Sequence, residues 1–165
     1  MARLTDQVDT DPLTGLGNRR GLTRVGRLHD LDSIAMVDLD HFKQVNDTYG
    51  HADGDRILVA FSRAMRQHLR SSDLVFRLGG EEFLLIMPAT TPEGVLEALE
   101  NLRRRWHAER MHPVTFSAGV TTVEAGDLSA AVLSADTALY AAKQAGRDCF
   151  KLASRSAQPE LAVGP

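Results

Sequence analysis

The run Phe76-Arg77-Leu78-Gly79-Gly80-Glu81-Glu82-Phe83-Leu84-Leu85-Ile86-Met87 constrains this chain more than any other stretch. Two apolar segments meet at Gly79-Gly80. That pattern predicts a β-hairpin, because glycine accepts the positive φ that a tight hairpin turn demands. Two carboxylates, Glu81 and Glu82, follow the glycines at once. Adjacent like charges at a hairpin tip gain nothing for the fold. A solvated turn accounts for them, and so does a cation such as Mg²⁺ held at the tip.

The chain has 165 residues, enough for one domain with a real core. Hydrophobic residues make up 43% and charged residues 25%, the balance of a soluble globular protein. A net charge of −3 gives no electrostatic footprint for nucleic acid or anionic membrane, so neither is expected as a partner. One cysteine, Cys149, excludes an internal disulfide framework and a cysteine zinc site. No apolar run reaches the ~18 residues of a membrane span, and the N-terminus has no signal-peptide core. The expected location is the cytoplasm.

Along the chain, strand and helix signals alternate. Residues 1–10 are polar, with Leu4 and Val8 as an i, i+4 apolar pair, and read as a linker or helix end. Asp11-Pro12-Leu13-Thr14-Gly15-Leu16-Gly17-Asn18-Arg19-Arg20 is a shaped loop. Asn18 is placed to cap a helix running to about Leu28, with Leu22 and Val25 inward. Arg19 and Arg20 in its first turn oppose the helix dipole and hint at an anionic partner. Ser33 to Asp40 is apolar on both faces and ends in acids, which predicts a central strand with Asp38 at or near its end. Asp40 is expected to cap a short helix from His41 to Tyr49, closed by Gly50. Asp53 is expected to cap a longer helix to about Arg70, with Ile57, Leu58, Phe61, Met65 and Leu69 on its inner stripe.

After the hairpin, Thr91-Pro92 starts a helix whose stripe is Val95, Leu99, Leu102 and Trp106. Val114 to Thr122 alternates as a strand, with Phe116, Ala118 and Val120 on one face. Leu128 to Ala145 is helical and stops at Gly146, and Cys149 to Leu152 is a last short strand. Residues 153–165 read as a disordered tail. The expected fold is α/β (α+β): a single domain with a mixed central sheet of about five strands, surrounded by helices.

Asp38 and the Glu81-Glu82 pair sit on the two most apolar strand regions. If those strands are neighbours, the acids converge at one sheet edge and offer hard oxygen ligands that suit Mg²⁺. The N-terminus of the following helix would then face phosphates. Lys143 and Arg147 either neutralise phosphate charge or serve as ordinary helix-dipole partners. Asn46 and Asp55 either read a base, since a carboxylate accepts the two N–H donors on the Watson–Crick edge of guanine, or are an ordinary helix-end amide and a favourable first-turn acid.

These residues resemble a known family. Gly79-Gly80-Glu81-Glu82-Phe83 is similar to the signature of GGDEF domains, the diguanylate cyclases. Asp11 to Arg20 resembles the family's N-terminal loop. Asp38 to His51, continued by Gly54-Asp55, resembles its metal and nucleotide segment. Ala138 to Arg147 resembles its C-terminal signature. The resemblance covers about residues 11–152 and implies a nucleotidyl cyclase, palm-like architecture. It implies that two GTP molecules are joined into cyclic di-GMP with release of two pyrophosphates, across a homodimer in which each domain holds one GTP.

By position, the resemblance gives Mg²⁺ (or Mn²⁺) to Asp38, the carbonyl of Leu39 and Glu81. Glu81 and Glu82 become the catalytic acids. Asn46, His51 and Asp55 are assigned to guanosine. Phe42, Lys43, Lys143 and Arg147 surround the phosphates, and Gly79 and Gly80 let the nucleotide lie close. Arg70-Ser71-Ser72-Asp73 fits the family's RxxD inhibitory product site, completed by an arginine among Arg103, Arg104 and Arg105. His41 stands where the family often has phenylalanine. An upstream sensory domain or partner is implied, and the residues before Asp11 fit the end of a linker. The alternatives are a catalytically weak receptor for cyclic di-GMP or GTP and a cyclase with relaxed base choice.

Overall fold

The computed structural model describes residues 8–154. Leu4 of the expected N-terminal pair, and the expected tail beyond Ser154, lie outside the described residues.

The elements run in chain order as α1 (Arg19–Leu22), β1 (Ser33–Leu39), α2 (Phe42–Tyr49), α3 (His51–His68), β2 (Leu74–Gly79), β3 (Glu82–Met87), α4 (Pro92–Glu109), β4 (Phe116–Thr122), α5 (Leu128–Gln144) and β5 (Phe150–Leu152). The five strands form one sheet in the order β2-β3-β1-β4-β5. Only the β4–β5 pair is parallel; the other three pairings are antiparallel. The expected mixed five-stranded sheet is therefore observed, with β1 at its centre and buried along its whole length.

Period-2 alternation sorts the strand residues between two cores. Ala35, Val37, Leu39, Phe83, Leu85, Phe116, Ala118 and Val120 face one side, packed against Ile57, Phe61 and Met65 of α3 and Leu99 and Trp106 of α4. Phe61 lies at the centre of that layer, with ring centroids 5.1–5.4 Å from Trp106, Phe116 and Phe83. Ile34, Met36, Leu84 and Ile86 face the other side, under Ala131, Ala135 and Leu139 of α5. Asp38 and Glu82 share the parity of this second face, so both acids lie on the α5 side of the sheet.

Three expected caps or ends differ. Asn18 does cap α1, accepting from the Gly21 N–H at 2.8 Å, but the helix ends at Leu22 rather than Leu28. Gly21, β-branched Thr23 and Gly26 weaken its continuation, and the chain passes through isolated turns to buried Leu28. Asp40 does not cap α2. The position before that helix is His41, in the left-handed region at φ 54°. Asp53 does not cap α3, which begins two residues earlier at His51 and ends at His68 instead of Arg70. The other expected caps are present: Thr91 accepts from Gly94 N–H at 3.1 Å, and Gly50 closes α2 with φ 88°; Asp127, which the sequence reading did not single out, caps α5.

Candidate active site

The hairpin tip is held from two directions. The Arg77 Nε–H donates to the Gly80 carbonyl at 2.9 Å, bracing the turn from its own strand. The same guanidinium reaches both oxygens of Asp11 at 3.0 and 3.1 Å. Asp11 in turn accepts from the Thr14 N–H and hydroxyl at 2.9 and 2.7 Å. Burial pushes the Asp11 carboxyl up, but those Thr14 bonds and Arg77 outweigh it and leave the pKa lowered. The Arg77 N–H also donates to Gly17 O at 2.8 Å. The N-terminal loop is thus a brace for the hairpin. Sequence reading passed over Arg77; the available signal was a lone cation in an otherwise apolar strand. Gly80 has φ 48°, and a Cβ at either turn glycine would meet nothing within 4 Å, so the floor beside the tip is open.

Beside the tip lies the end of β1. Asp38 is the direct cross-strand partner of Glu82, and the Leu39 N–H donates to Glu81 O at 3.3 Å. Sheet register thus brings the acids of the two strands to one edge. The Lys143 ammonium, in the last turn of α5, is hydrogen-bonded to Asp38 Oδ2. Among the described residues Asp38 Oδ1 is buried without a partner. Burial raises the Asp38 pKa to about 6 from the ordinary 3.8; Lys143 opposes the rise, and the charges of Glu81 and Glu82 add to it. An orphaned carboxylate oxygen, crowded by further acids, fits a hard cation. Among the described residues no three His, Cys, Asp or Glu side chains are grouped so that they could hold a metal ion by themselves. The arrangement is an open one, with Lys143 supplying the positive charge.

The short helix α2 carries the next group. Phe42 is buried, while Lys43 is exposed. Asn46 is half-buried, and its side-chain oxygen occupies the space that a Cβ on Gly54 would need, so Gly54 is what lets Asn46 lie against α3. His51 and Asp55 lie exposed in the first turns of α3, on the same side of the Gly50 hinge. Tyr49 stacks on His112 with centroids 3.9 Å apart, and His112 Nε2 lies 3.1 Å from Asp53 Oδ2. Asp53, expected as a cap, is instead a tertiary partner, joined also by Arg56 at 2.9 Å.

Asp40 has a similar fate. It is buried and accepts from the Thr115 and Ser117 hydroxyls, both at 2.7 Å, and from the Asp148 N–H at 3.0 Å. It anchors the turn that carries Arg147, whose exposed side chain makes no hydrogen bond or ion pair among the described residues. Arg20, whose charge hinted at an anionic partner, has an internal one: it and Arg24 lie 3.7 and 3.0 Å from Asp9.

Arg70 and Asp73 lie apart from this edge, at the base of the hairpin. The Arg70 N–H donates to Asp73 at 2.8 Å, and its guanidinium reaches Asp73 at 3.1 Å, the Pro88 carbonyl at 3.1 Å and Thr90. They border an open groove of about 590 Å³ whose far wall is α4, with Glu97 and Asn101 facing in. Of the three arginines considered for that helix, Arg103 is turned away to Asp148, and Arg104 reaches the groove's edge through Asn101 at 3.3 Å. No described helix is long and apolar enough to cross a membrane.

Residues 8–149 match the family described as "Diguanylate cyclase, GGDEF domain". The chain is 42% identical over 160 residues to the diguanylate cyclase DgcP of Pseudomonas aeruginosa, covering 87% of this chain but only 24% of that protein. It therefore spans about a quarter of that relative's length. Among solved structures it is similar to diguanylate cyclase SiaD from P. aeruginosa, crystallised with its activator SiaC, with TM-score 0.80 and 41% identity over 92% of this chain and 64% of that one. It also superposes on the GGDEF domain of DgcB from Caulobacter crescentus in complex with c-di-GMP, with TM-score 0.79 and 29% identity over 88% of this chain and 95% of that one. A braced Gly-Gly turn beside paired acids, on this sheet order and with this extent of match, leads to one conclusion: the chain belongs to the GGDEF domain family of diguanylate cyclases.

Proposed function

We propose that this domain, residues 11–152, is an active diguanylate cyclase that condenses two GTP molecules into cyclic di-GMP and releases two pyrophosphates. One observation carries the reading. The orphaned oxygen of Asp38 sits beside Glu81 and Glu82 at an open sheet edge that also offers Lys143. Asp38, Glu81 and the Leu39 carbonyl are the residues that would hold Mg²⁺ or Mn²⁺, which when bound would offset charge at the α-phosphate. Lys143 and Arg147 bind the phosphates, with Lys143 exchanging Asp38 for the nucleotide; Lys43 and Phe42 close that side. Asn46, His51 and Asp55 hold guanosine, with the Asp55 carboxylate selecting guanine over adenine. Glu81 accepts the proton of the ribose 3′-OH. That oxygen bonds to the α-phosphorus of the nucleotide held by a second copy, and the bond to pyrophosphate breaks. Glu82 supports the attacking hydroxyl. Positioning across the pair supplies much of the rate.

The groove at Arg70 and Asp73 is the proposed product site. Asn101, rather than an arginine, lines that groove from α4, which favours modest product inhibition with Arg104, bonded to Asn101, as the nearest helper. A receptor with negligible turnover would need that groove but not Asp38, Glu81 or Lys143. Incubation with GTP and Mg²⁺ separates the two readings. The wild-type chain is expected to form cyclic di-GMP, and Glu81→Ala to lose at least ~100-fold in rate. Equal turnover in Glu81→Ala contradicts the assignment.

A further inference from the structure

Arg147 and Asp148 are consecutive non-glycine residues with φ of 64° and 48°. Left-handed backbone costs energy at each of them, so such a pair persists only where the surroundings hold it. Nearly all of the holding is done at Asp148. Its carboxylate takes a fork of bonds from Arg103 on α4: Nε to Oδ1 at 2.9 Å and Nη2 to Oδ2 at 2.8 Å. The pairing favours the charged guanidinium and raises the Arg103 pKa further. His107 Nε2, one turn along the same helix, lies 3.7 Å from Oδ1. The Asp148 N–H donates to buried Asp40. On either side, Arg147 N–H reaches Ala142 O at 3.1 Å and Cys149 O accepts from Ala118 N–H at 3.1 Å. The backbone of this turn is thus fixed to α4, α5, β4 and the β1–α2 junction. Among the described residues the Arg147 guanidinium has no partner, and it is exposed.

We infer that Arg103 and Asp148 are positioning residues for nucleotide binding, forming a latch that holds the left-handed turn in the one conformation that presents Arg147 to the phosphates. The inference rests on reading Arg147 as a phosphate-binding residue. A planar, bidentate fork suits this task, because it fixes orientation as well as distance. The latch never touches the nucleotide. Its effect is the order it gives Arg147.

The test is equilibrium binding of a fluorescent GTP analogue with Mg²⁺, read by anisotropy, together with melting temperature. It uses the wild type, Arg147→Ala, Arg103→Ala, Asp148→Asn and the double variant Arg103→Ala/Arg147→Ala. Asparagine tolerates the left-handed region but loses the ionic fork, so Asp148→Asn carries the test if Arg103→Ala does not fold. Arg147→Ala is expected to weaken binding about tenfold, and each latch variant about fivefold. The double variant is expected to bind no more weakly than Arg147→Ala alone, since a latch with nothing to present has nothing left to lose. A merely structural staple would lower the melting temperature and leave affinity unchanged. If Arg147→Ala weakens binding while both latch variants bind as wild type, or if the losses simply add, the latch is overturned and the phosphate role of Arg147 stands. If Arg147→Ala binds as wild type, that role falls and the latch with it. If the wild type itself does not bind the analogue, the cyclase reading fails first.

Discussion

Asp38 concentrates the chemistry of the site in one side chain. Its pKa is raised from 3.8 to about 6, chiefly by burial, against the pull of Lys143. The folded state therefore holds this proton more tightly than the unfolded chain does. The stability it contributes is complete below about pH 4 and is lost as pH climbs through about 6. The difference between the two pKa values corresponds to about 3 kcal/mol. In metal-free buffer, Asp38→Asn should remove that slope. Melting temperature against pH for the two proteins should diverge between about pH 4 and 6; parallel curves would contradict the assignment. At this scale the sequence was legible where an acid ended an apolar run, as at Asp38. It was not legible where the partner is remote. Asp40 and Asp53 look like helix caps because an Asx before a helix usually is one. Their real partners, Thr115, Ser117 and His112, are distant in sequence, and no local pattern announces them. Arg77 is a third such case, bonded to an acid 66 positions earlier.

The elements themselves were legible because their apolar stripes follow the 3.6 and 2.0 periods cleanly, as in Val95, Leu99, Leu102 and Trp106 of α4. Their ends were less so, since α1 stops through local glycine and β-branched choices rather than through any marked stop signal. Packing between elements sets the sharpest constraint at Gly119 of β4. A Cβ there would run into the Ala135 carbonyl and the Leu139 N–H of α5. The helix lies directly on strand backbone and cannot yield without moving Lys143. Gly119→Ala should cost about 2–4 kcal/mol and lower nucleotide affinity, measured by denaturant unfolding and GTP titration. An unchanged midpoint would show that α5 is free to shift. The brace between the loop and the hairpin is weaker and more local. Asp11→Ala should cost about 1.5–3 kcal/mol, because it leaves half-buried Arg77 without its carboxylate. It should also slow turnover by loosening the Gly80 turn.

For the whole molecule, the topology brings together what the linear order separates. Antiparallel pairing of β1 with β3 sets the hairpin tip against the end of the central strand. The return of α5 over that same face adds Lys143 from more than a hundred residues away. The mixed five-stranded sheet was readable from the alternation of elements, but the pairing of β1 with β3 was not, because adjacency is set by long-range packing; the second copy in the proposed active site was implied by the family resemblance alone. In the proposed reaction the attacking hydroxyl and the phosphorus it attacks are held by different domains, so turnover would depend on their encounter. The most direct test is product analysis from GTP and Mg²⁺ across a series of protein concentrations spanning about two decades. Cyclic di-GMP formed per mole of chain should rise with protein concentration until the pair saturates. A specific rate that stays flat across the series, or no cyclic di-GMP at the highest concentration, would contradict a cyclase assembled from two copies.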